Sequence, residues 1–217
     1  MVKMEILGSR SEWLEKRSSY IGGSDAASVI GLNPWRSNVE LWEIKTGRRT
    51  APDISDLDVV KYGIKAEEHL RELFKLDFPE YKVEYVENNI WFNDKFPWAH
   101  ASLDGWIHDS EGRFGILEIK TSNIMKAEQM DKWKDRIPDN YYIQVLHYMM
   151  VTGAEFAFLK AQLKRNLIAS EPWAITKHYK IERKDVEEDI EYLINAEREF
   201  CELIKEDKQP ALILPDV

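Results

Sequence analysis

Hydrophobic residues in the first 76 positions recur every three or four residues, which is the spacing of one face of an α-helix. Residues 10–19 and 25–32 are therefore predicted to form two short helices. Between them the chain passes through a glycine-containing turn at residues 20–25. Ser24 or Asp25 is predicted to be the N-cap of the second helix, because a short polar side chain there can accept a hydrogen bond from a free helix N–H.

Two further helices are predicted before the pattern changes. Ser37 is predicted to begin a helix that Gly47 ends, since glycine commonly follows the last residue of a helix. The polar and acidic segment 48–58 is predicted to be a surface loop. A longer amphipathic helix is predicted over residues 59–76. Its buried face is predicted to consist of Ala66, Leu70, Leu73 and Phe74.

The middle of the chain alternates apolar and polar residues, as half-buried strands do. Residues 82–92 are predicted to form one such strand, and residues 98–109 a second. A turn at residues 111–113 is predicted to lead into a third strand over residues 114–121. The short connection allows the second and third strands to pair as an antiparallel hairpin.

Helical and strand patterns are mixed after this hairpin. Residues 141–151 are almost entirely apolar and predict a buried helix, which is followed by a strand over residues 154–163. A polar loop at residues 164–173 is predicted to lead to an edge strand at residues 178–183. A C-terminal helix is predicted at about 183–208, with its apolar residues on one stripe.

These elements together predict the fold class. Helices before and after a mixed central sheet are typical of an α/β or α+β domain. No repeat, low-complexity tract or long linker divides the sequence. The whole chain, residues 1–217, is therefore predicted to form a single domain.

Composition limits the class of protein. Apolar residues make up 44% of the chain and charged residues 32%, which is the balance of a globular protein. No segment approaches the roughly eighteen consecutive apolar residues of a membrane span, and the first residues lack the apolar segment of a signal peptide. Cys201 is the only cysteine, so an internal disulfide and a thiolate metal site are excluded. We therefore expect a soluble cytoplasmic protein that does not bind membranes.

The net charge of −9 argues mildly against a nucleic acid partner. Residues 182–208, however, contain eleven acidic and five basic residues, so this one segment carries most of the excess. The C-terminal helix is accordingly predicted to be a solvated outer face. An acidic metal site would add further formal charge that a bound cation cancels. The charge excludes a nonspecific polycation, but it does not exclude an enzyme that acts on DNA.

The most informative residues lie in the predicted hairpin. Side chains alternate between the two faces of a strand, so Glu118 and Lys120 point the same way while Leu117 and Ile119 point into the core. Asp104 lies near the end of the preceding strand, and the hairpin brings it to the same edge of the sheet. Two carboxylates and a backbone carbonyl, such as that of Ile119, suit a hard cation like Mg²⁺. The Lys120 ammonium would then orient or activate a water, or stabilise charge on a phosphate.

Glu-x-Lys has a simpler interpretation as the solvated face of an exposed strand. The upstream Asp104–Gly105 and the apolar neighbours of Glu118 count against it. The five histidines show no ligand spacing and are predicted to be structural. Of the eight tryptophans, Trp35 and Trp133 lie in loops and are the only two that we consider for DNA contact, in which an indole ring stacks on bases.

The spacing Asp104-x(13)-Glu118-x-Lys120 on a hairpin resembles the PD-(D/E)xK nuclease superfamily. Further segments resemble its YqaJ-like viral recombinase branch, the relatives of lambda-type exonuclease, and occur in the family's order between Arg17 and Gly153. These segments are IGGSDAASVIGLNPW, YGIKAEEHL, WAHASLDG, GILEIKTSN and IPDNYYIQVLHYMMVTG. One departure is that Leu103 replaces the proline that usually precedes the first aspartate. That proline is not a metal ligand in the family, so the change leaves the chemistry intact. The resemblance implies a restriction-endonuclease-like core.

The resemblance also implies roles for residues outside the hairpin. Glu67 matches the family's helix glutamate near the metals, although a surface carboxylate like its neighbour Glu68 is the alternative. Gln144 matches the glutamine of the helix after the catalytic strand, although it also has a simpler interpretation as a bond to neighbouring backbone. Tyr141 lies one turn earlier on the same face and, like Trp35, is a possible DNA contact.

Arg17 and Ser24 resemble the pair that receives a terminal phosphate in the family. A simple N-cap role for Ser24 is compatible with this assignment, because helix N-termini bind phosphate. The implied activity is 5′→3′ exonuclease hydrolysis of linear double-stranded DNA with Mg²⁺, for which Mn²⁺ substitutes. Its implied setting is phage or prophage recombination in a bacterial host, beside a single-strand annealing protein and as a homo-oligomer, by resemblance a trimeric ring. An endonuclease or end-trimming nuclease, or a non-catalytic DNA-binding module of the same fold, is the alternative.

Overall fold

The computed structural model describes residues 1–165 and 173–214, which form seven strands, seven α-helices and one 3₁₀-helix. In chain order these elements are β1 (Val2–Ile6), α1 (Arg10–Ser18), α2 (Gly23–Val29), α3 (Asn38–Lys45), α4 (Asp58–Asp77), β2 (Lys82–Glu84), β3 (Asn89–Asn93), β4 (Gly105–His108), β5 (Phe114–Asn123), α5 (Ala127–Asp131), α6 (Asp139–Thr152), β6 (Phe156–Arg165), β7 (Trp173–Glu182), the 3₁₀-helix Arg183–Asp185, and α7 (Glu187–Lys205). Residues 166–172, which include most of the predicted loop at 164–173, lie outside the described residues.

A five-stranded mixed sheet forms the centre of the fold, in the order β2-β4-β5-β6-β7. Strands β5 and β6 are parallel, and the other neighbours are antiparallel. A parallel pair needs a crossover connection, and α5 and α6 supply it between β5 and β6. The predicted α+β class, with a mixed central sheet flanked by helices, is confirmed. Strand β7 lies at the edge of the sheet, as predicted.

Helices cover both faces of this sheet. On one face, α4 packs Leu70 and Phe74 against Leu117 and Ile119 of β5. On the other face, α6 packs against a larger apolar cluster that includes Ile116 of β5. Strand β5 is thus buried on both sides, and a charged residue on it has little access to water except at the end of the strand.

The predicted N-terminal helices are present, with one correction at a cap. Helix α3 has Ser37 as its N-cap, whose hydroxyl accepts from the N–H of Glu40 at 3.2 Å. Helix α2 instead begins at Gly23, two residues before the predicted start at residue 25, with Gly22 as its N-cap. The Asp25 carboxylate reaches back to the N–H of Gly22 at 3.2 Å. Neither Ser24 nor Asp25 is therefore the N-cap.

The strand predictions need three corrections. Residues 82–92 form two strands, which are separated by a turn where Asn88 has a left-handed backbone with φ of 56°. Strand β2 pairs with β4, whereas β3 pairs with β1. The predicted strand over 98–109 is regular only in β4. Strand β1 was not predicted, and it forms with β3 a separate two-stranded sheet.

Helices α4 and α7 each bury a charged residue that the helical pattern predicts to be exposed. On α4, Leu73 of the predicted apolar face is 46% exposed, whereas Arg71 is buried. On α7, Glu197 is fully buried against His147, so the helix is not solvated throughout. Among the described residues, no helix has the length and apolar character to cross a membrane.

Candidate active site

Strand β5 extends beyond the end of β4 in the hairpin, and this difference in length determines where Asp104 lies. The last paired residues are Gly105 and Leu117, beyond which β5 continues without β4. Asp104 lies beside the part of β5 that β4 does not pair, where its Oδ2 accepts a hydrogen bond from the N–H of Ile119 at 2.8 Å. The N–H and C=O of one strand residue point to the same side, so the Ile119 carbonyl faces Asp104 as well.

Glu118 and Lys120 lie on the same face of β5, as the alternation predicts. The Nζ of Lys120 is 2.6 Å from Oε1 of Glu118. Glu118 is only 1% exposed, so it is not on a solvated strand face. Its Oε1 also accepts from Nε2 of Gln144 on α6 at 2.8 Å. Its Oε2 is buried and has no hydrogen-bond partner within the described residues.

Helix α4 brings Glu67 to the same cleft as Asp104 and Glu118. Glu67 is half-buried, whereas its neighbour Glu68, which also lines the cleft, is exposed. The cleft has a volume of about 900 Å³. It brings together all five predicted catalytic residues, which are Asp104, Glu118, Lys120, Glu67 and Gln144, and the predicted Ile119 and Arg17 line it as well.

The charges in this cleft perturb one another. Burial, together with the Asp104 carboxylate, raises the pKa of Glu118 to about 8 and that of Glu67 to about 7. Burial also raises the pKa of Asp104. Although burial alone would lower the pKa of Lys120, the carboxylates of Glu118 and Asp104 raise it above its usual range. The site therefore holds one ammonium group and three carboxyl groups, and a further cation would reduce the repulsion between the carboxylates.

One end of the cleft is lined by Arg17, whose guanidinium lies 4.0 Å from the centre of the Trp13 ring. The Nε of Arg17 and the hydroxyl of Ser102 are both buried without a hydrogen-bond partner within the described residues. Ser102 was not predicted, although its place two residues before Asp104 was a signal for the same strand face. Ser24 is exposed and is not among the residues that line the cleft.

An aromatic row extends from Lys120. The Lys120 Nζ lies 5.1 Å from the centre of the Tyr141 ring, which stacks on Trp133 at 5.5 Å. The Trp35 ring is 6.5 Å from Tyr141 and is 72% exposed. Trp133 is 3% exposed, because it packs in the core beside α6, so its predicted availability to DNA is wrong.

Among residues 1–165 and 173–214, no three His, Cys, Asp or Glu side chains are grouped closely enough to hold a metal by themselves. The donors nevertheless fit a hard cation. Mg²⁺ commonly uses one or two carboxylates and keeps several waters. Oxygen donors are provided by the Asp104 carboxylate, the Ile119 carbonyl, Glu67 and Oε2 of Glu118, which has no hydrogen-bond partner within the described residues; all four residues line the cleft.

Comparison with known sequences gives a consistent family match. A family model described as the YqaJ-like viral recombinase domain matches residues 12–155. The uncharacterized protein YqaJ of Bacillus subtilis is 34% identical over 149 residues. The alignment covers 68% of this chain and 44% of that relative, so the chain spans less than half of the relative's length.

Comparison with solved structures shows the fold. An alkaline exonuclease from Laribacter hongkongensis (LHK-Exo) superimposes with a TM-score of 0.61 at 17% identity, over 90% of this chain and 95% of that one. The structure of LHK-Exo in complex with dAMP gives a TM-score of 0.59 at 16% identity, with the same coverage. The predicted restriction-endonuclease-like fold is confirmed.

Proposed function

The chain belongs to the YqaJ-like viral recombinase family, and from that premise we propose that it is a metal-dependent deoxyribonuclease. We propose further that it is a 5′→3′ exonuclease on linear double-stranded DNA. The observation that carries the proposal is the Asp104–Glu118–Lys120 cluster in a cleft, in which one buried Glu118 oxygen has no hydrogen-bond partner among the residues that the structure describes. A carboxylate in that state is expected to bind a cation.

Asp104, Glu118, the Ile119 carbonyl and Glu67 are the residues that would hold Mg²⁺, or Mn²⁺ in its place. When bound, such an ion lowers the pKa of a coordinated water and neutralises charge on a phosphate. The close carboxylates and their raised pKa values support this assignment, because a cation removes the repulsion between them.

The remaining residues of the cluster have separate tasks. Lys120 is an ammonium at neutral pH, so it would donate a hydrogen bond to a phosphate oxygen or an attacking water and would not remove a proton. Gln144 holds Oε1 of Glu118 and thereby leaves Oε2 toward the cleft. Gln144 is in turn bonded to the hydroxyl of Tyr148 at 2.9 Å, which fixes its orientation.

Recognition of a DNA end is proposed at the Arg17 end of the cleft. A 5′-phosphate carries charge that an internal diester lacks, and a guanidinium binds it through parallel hydrogen bonds. Among the described residues, Arg17 Nε and the Ser102 hydroxyl have no hydrogen-bond partner, which supports this assignment. Ser24 stays a prediction, because its side chain is exposed and does not line the cleft. The exposed Trp35 ring and Tyr141 are proposed DNA contacts.

The biological setting is proposed from the family. The activity would serve phage or prophage recombination in the host cytoplasm, together with a single-strand annealing protein. A homo-oligomer, by resemblance a trimeric ring, also stays a prediction of the sequence, as does a single domain over residues 1–217. Light scattering with and without DNA would test the oligomer first.

Digestion of linear duplexes labelled at either the 5′ or the 3′ end tests the proposed direction. We expect early release of the 5′ label, faster digestion of a 5′-phosphate end than of a 5′-hydroxyl end, and resistance of a covalently closed circle. Arg17→Ala should remove most of the phosphate preference. Rapid cutting of the circle would move the assignment to an endonuclease of the same superfamily.

A further inference from the structure

Asp104 lies just beyond the regular part of the sheet. The ladder between β4 and β5 ends at Gly105, and the ladder between β4 and β2 ends at Trp106. Strand pairing therefore does not fix the peptide that carries the Asp104 carboxylate. Its side chain is held by the N–H of Ile119, but its carbonyl needs another partner.

Arg71 provides that partner. It lies one helical turn after Glu67 on α4, and its Nη1 donates to the main-chain carbonyl of Asp104. Arg71 is only 6% exposed, which is rare for arginine unless the guanidinium is paired. Its guanidinium also stacks on Tyr85, 3.7 Å from the ring centre.

This geometry differs from that of a surface cation. Stacking on Tyr85 fixes the plane of the guanidinium, and a fixed plane directs Nη1 at one carbonyl. The residue also lines the cleft beside Asp104, so its positive charge lies among the carboxylates. Lysine carries the same charge, but it has no planar group to stack and no fixed donor direction.

We propose that Arg71 is a positioning residue that, by holding the Asp104 carbonyl from α4, sets the Asp104 carboxylate in the geometry that binds a divalent cation. The inference rests on the proposed function, since it assigns a supporting residue to the same site. Partners that orient metal ligands typically change metal affinity or activity by about 10- to 100-fold when they are replaced.

The test is Mn²⁺ binding to the full-length protein by calorimetry, for the wild type and for Arg71→Lys and Arg71→Met. We expect both variants to bind Mn²⁺ at least about 10-fold more weakly. In steady-state assays with excess Mn²⁺, kcat should recover while KM for DNA stays unchanged. Arg183→Lys is the matched control, because Arg183 also donates to main-chain carbonyls, those of Met149 and Ala154, but lies outside the cleft.

Several outcomes would overturn the assignment. If Arg71→Lys and Arg183→Lys lower the melting temperature alike and both keep wild-type Mn²⁺ affinity, Arg71 is only structural. If Arg71→Lys raises KM for DNA and leaves Mn²⁺ affinity unchanged, Arg71 contacts substrate. A wild-type protein that neither binds Mn²⁺ nor cleaves DNA would instead refute the proposed function itself, so the two failures are distinguishable.

Discussion

The Gln144 side chain decides which oxygen of Glu118 remains free. Its Nε2 donates to Oε1 of Glu118 at 2.8 Å, and the Lys120 ammonium lies 2.6 Å from the same oxygen. Two donors thus share Oε1, whereas Oε2 is buried and has no hydrogen-bond partner in the described part of the chain. The helix on one face of the sheet therefore orients a carboxylate that belongs to the strand.

Gln144→Leu should release Glu118 from this orientation while keeping a side chain of similar volume. We expect a fall in kcat of about 10- to 100-fold, as is typical when a group orienting a metal ligand is lost. Tyr148→Phe is the matched control, because it removes only the second partner of Gln144 and should cost less. A Gln144→Leu enzyme with wild-type kcat would show that the hydrogen bond to Glu118 does not matter for catalysis.

Lys120→Gln should lower kcat and leave DNA binding almost unchanged. The ammonium is expected to act mainly on charge that develops in the transition state, and loss of one such donor costs about 10²- to 10³-fold. Binding measured by fluorescence anisotropy in Ca²⁺ separates affinity from turnover. Loss of affinity in proportion to the rate would make Lys120 an ordinary phosphate anchor.

Mn²⁺ affinity should rise with pH between about 7 and 8. The raised pKa values of Glu67, about 7, and Glu118, about 8, mean that protons compete with the cation below these values. Each ligand proton displaced gives at most about a tenfold gain in affinity per pH unit. Calorimetry in buffers of different ionisation enthalpy should detect proton release. An Mn²⁺ affinity that does not change with pH, with no proton release on binding, would contradict the assignment of Glu67 and Glu118 as ligands.

The hairpin chemistry was predictable because strand alternation is a local property. Asp104, Glu118 and Lys120 are close in sequence, and one turn brings them together. The burial of Arg71 and Glu197 was not predictable, because their partners Asp104 and His147 lie 33 and 50 residues away. A charged residue in a helical pattern indicates a surface unless its distant partner is known.

The break between β2 and β3 was also not predictable, because strand pairing depends on residues that are distant in the sequence. An alternating segment looks the same whether it pairs with one strand or two. Residues 85–88, which end in a turn with a positive φ at Asn88, separate the two strands, and asparagine tolerates that conformation without a distinctive pattern. The burial of Trp133 likewise depends on its stacking with Tyr141, which the sequence around it does not indicate.

The buried pair of His147 and Glu197 should make stability depend on pH. The Nδ1 of His147 lies 2.6 Å from Oε1 of Glu197, and its Nε2 lies 2.9 Å from the main-chain oxygen of His100. Both partners are acceptors, so both nitrogens carry protons. Burial alone would lower the pKa of His147, but Glu197 raises it above 6.5. The stabilisation is therefore complete below pH 6.5 and is lost as the pH rises through the raised value.

Glu197→Gln should lower the free energy of unfolding by about 3–5 kcal/mol at acidic pH, because it leaves the imidazolium buried without its counter-ion. The loss should shrink as the pH rises and the ring becomes neutral. Denaturant titrations across this range provide the measurement. Glu199→Gln, on the exposed side of α7, is the matched control and should have little effect. A loss for Glu197→Gln that does not vary with pH would argue against a charged His147.

We propose that the Glu118 cleft cleaves DNA with a bound divalent cation. Nucleotide release from linear duplex DNA, measured for the wild type and for Glu118→Gln with Mg²⁺ and with excess EDTA, tests this cleavage. Glu118→Gln keeps the shape of the side chain and removes only the charge, and its melting temperature reports whether the fold is intact. We expect the wild type to release nucleotides with Mg²⁺ but not with EDTA, and folded Glu118→Gln to release none. Release that persists in EDTA, or in folded Glu118→Gln, would rule out metal-dependent cleavage at Glu118.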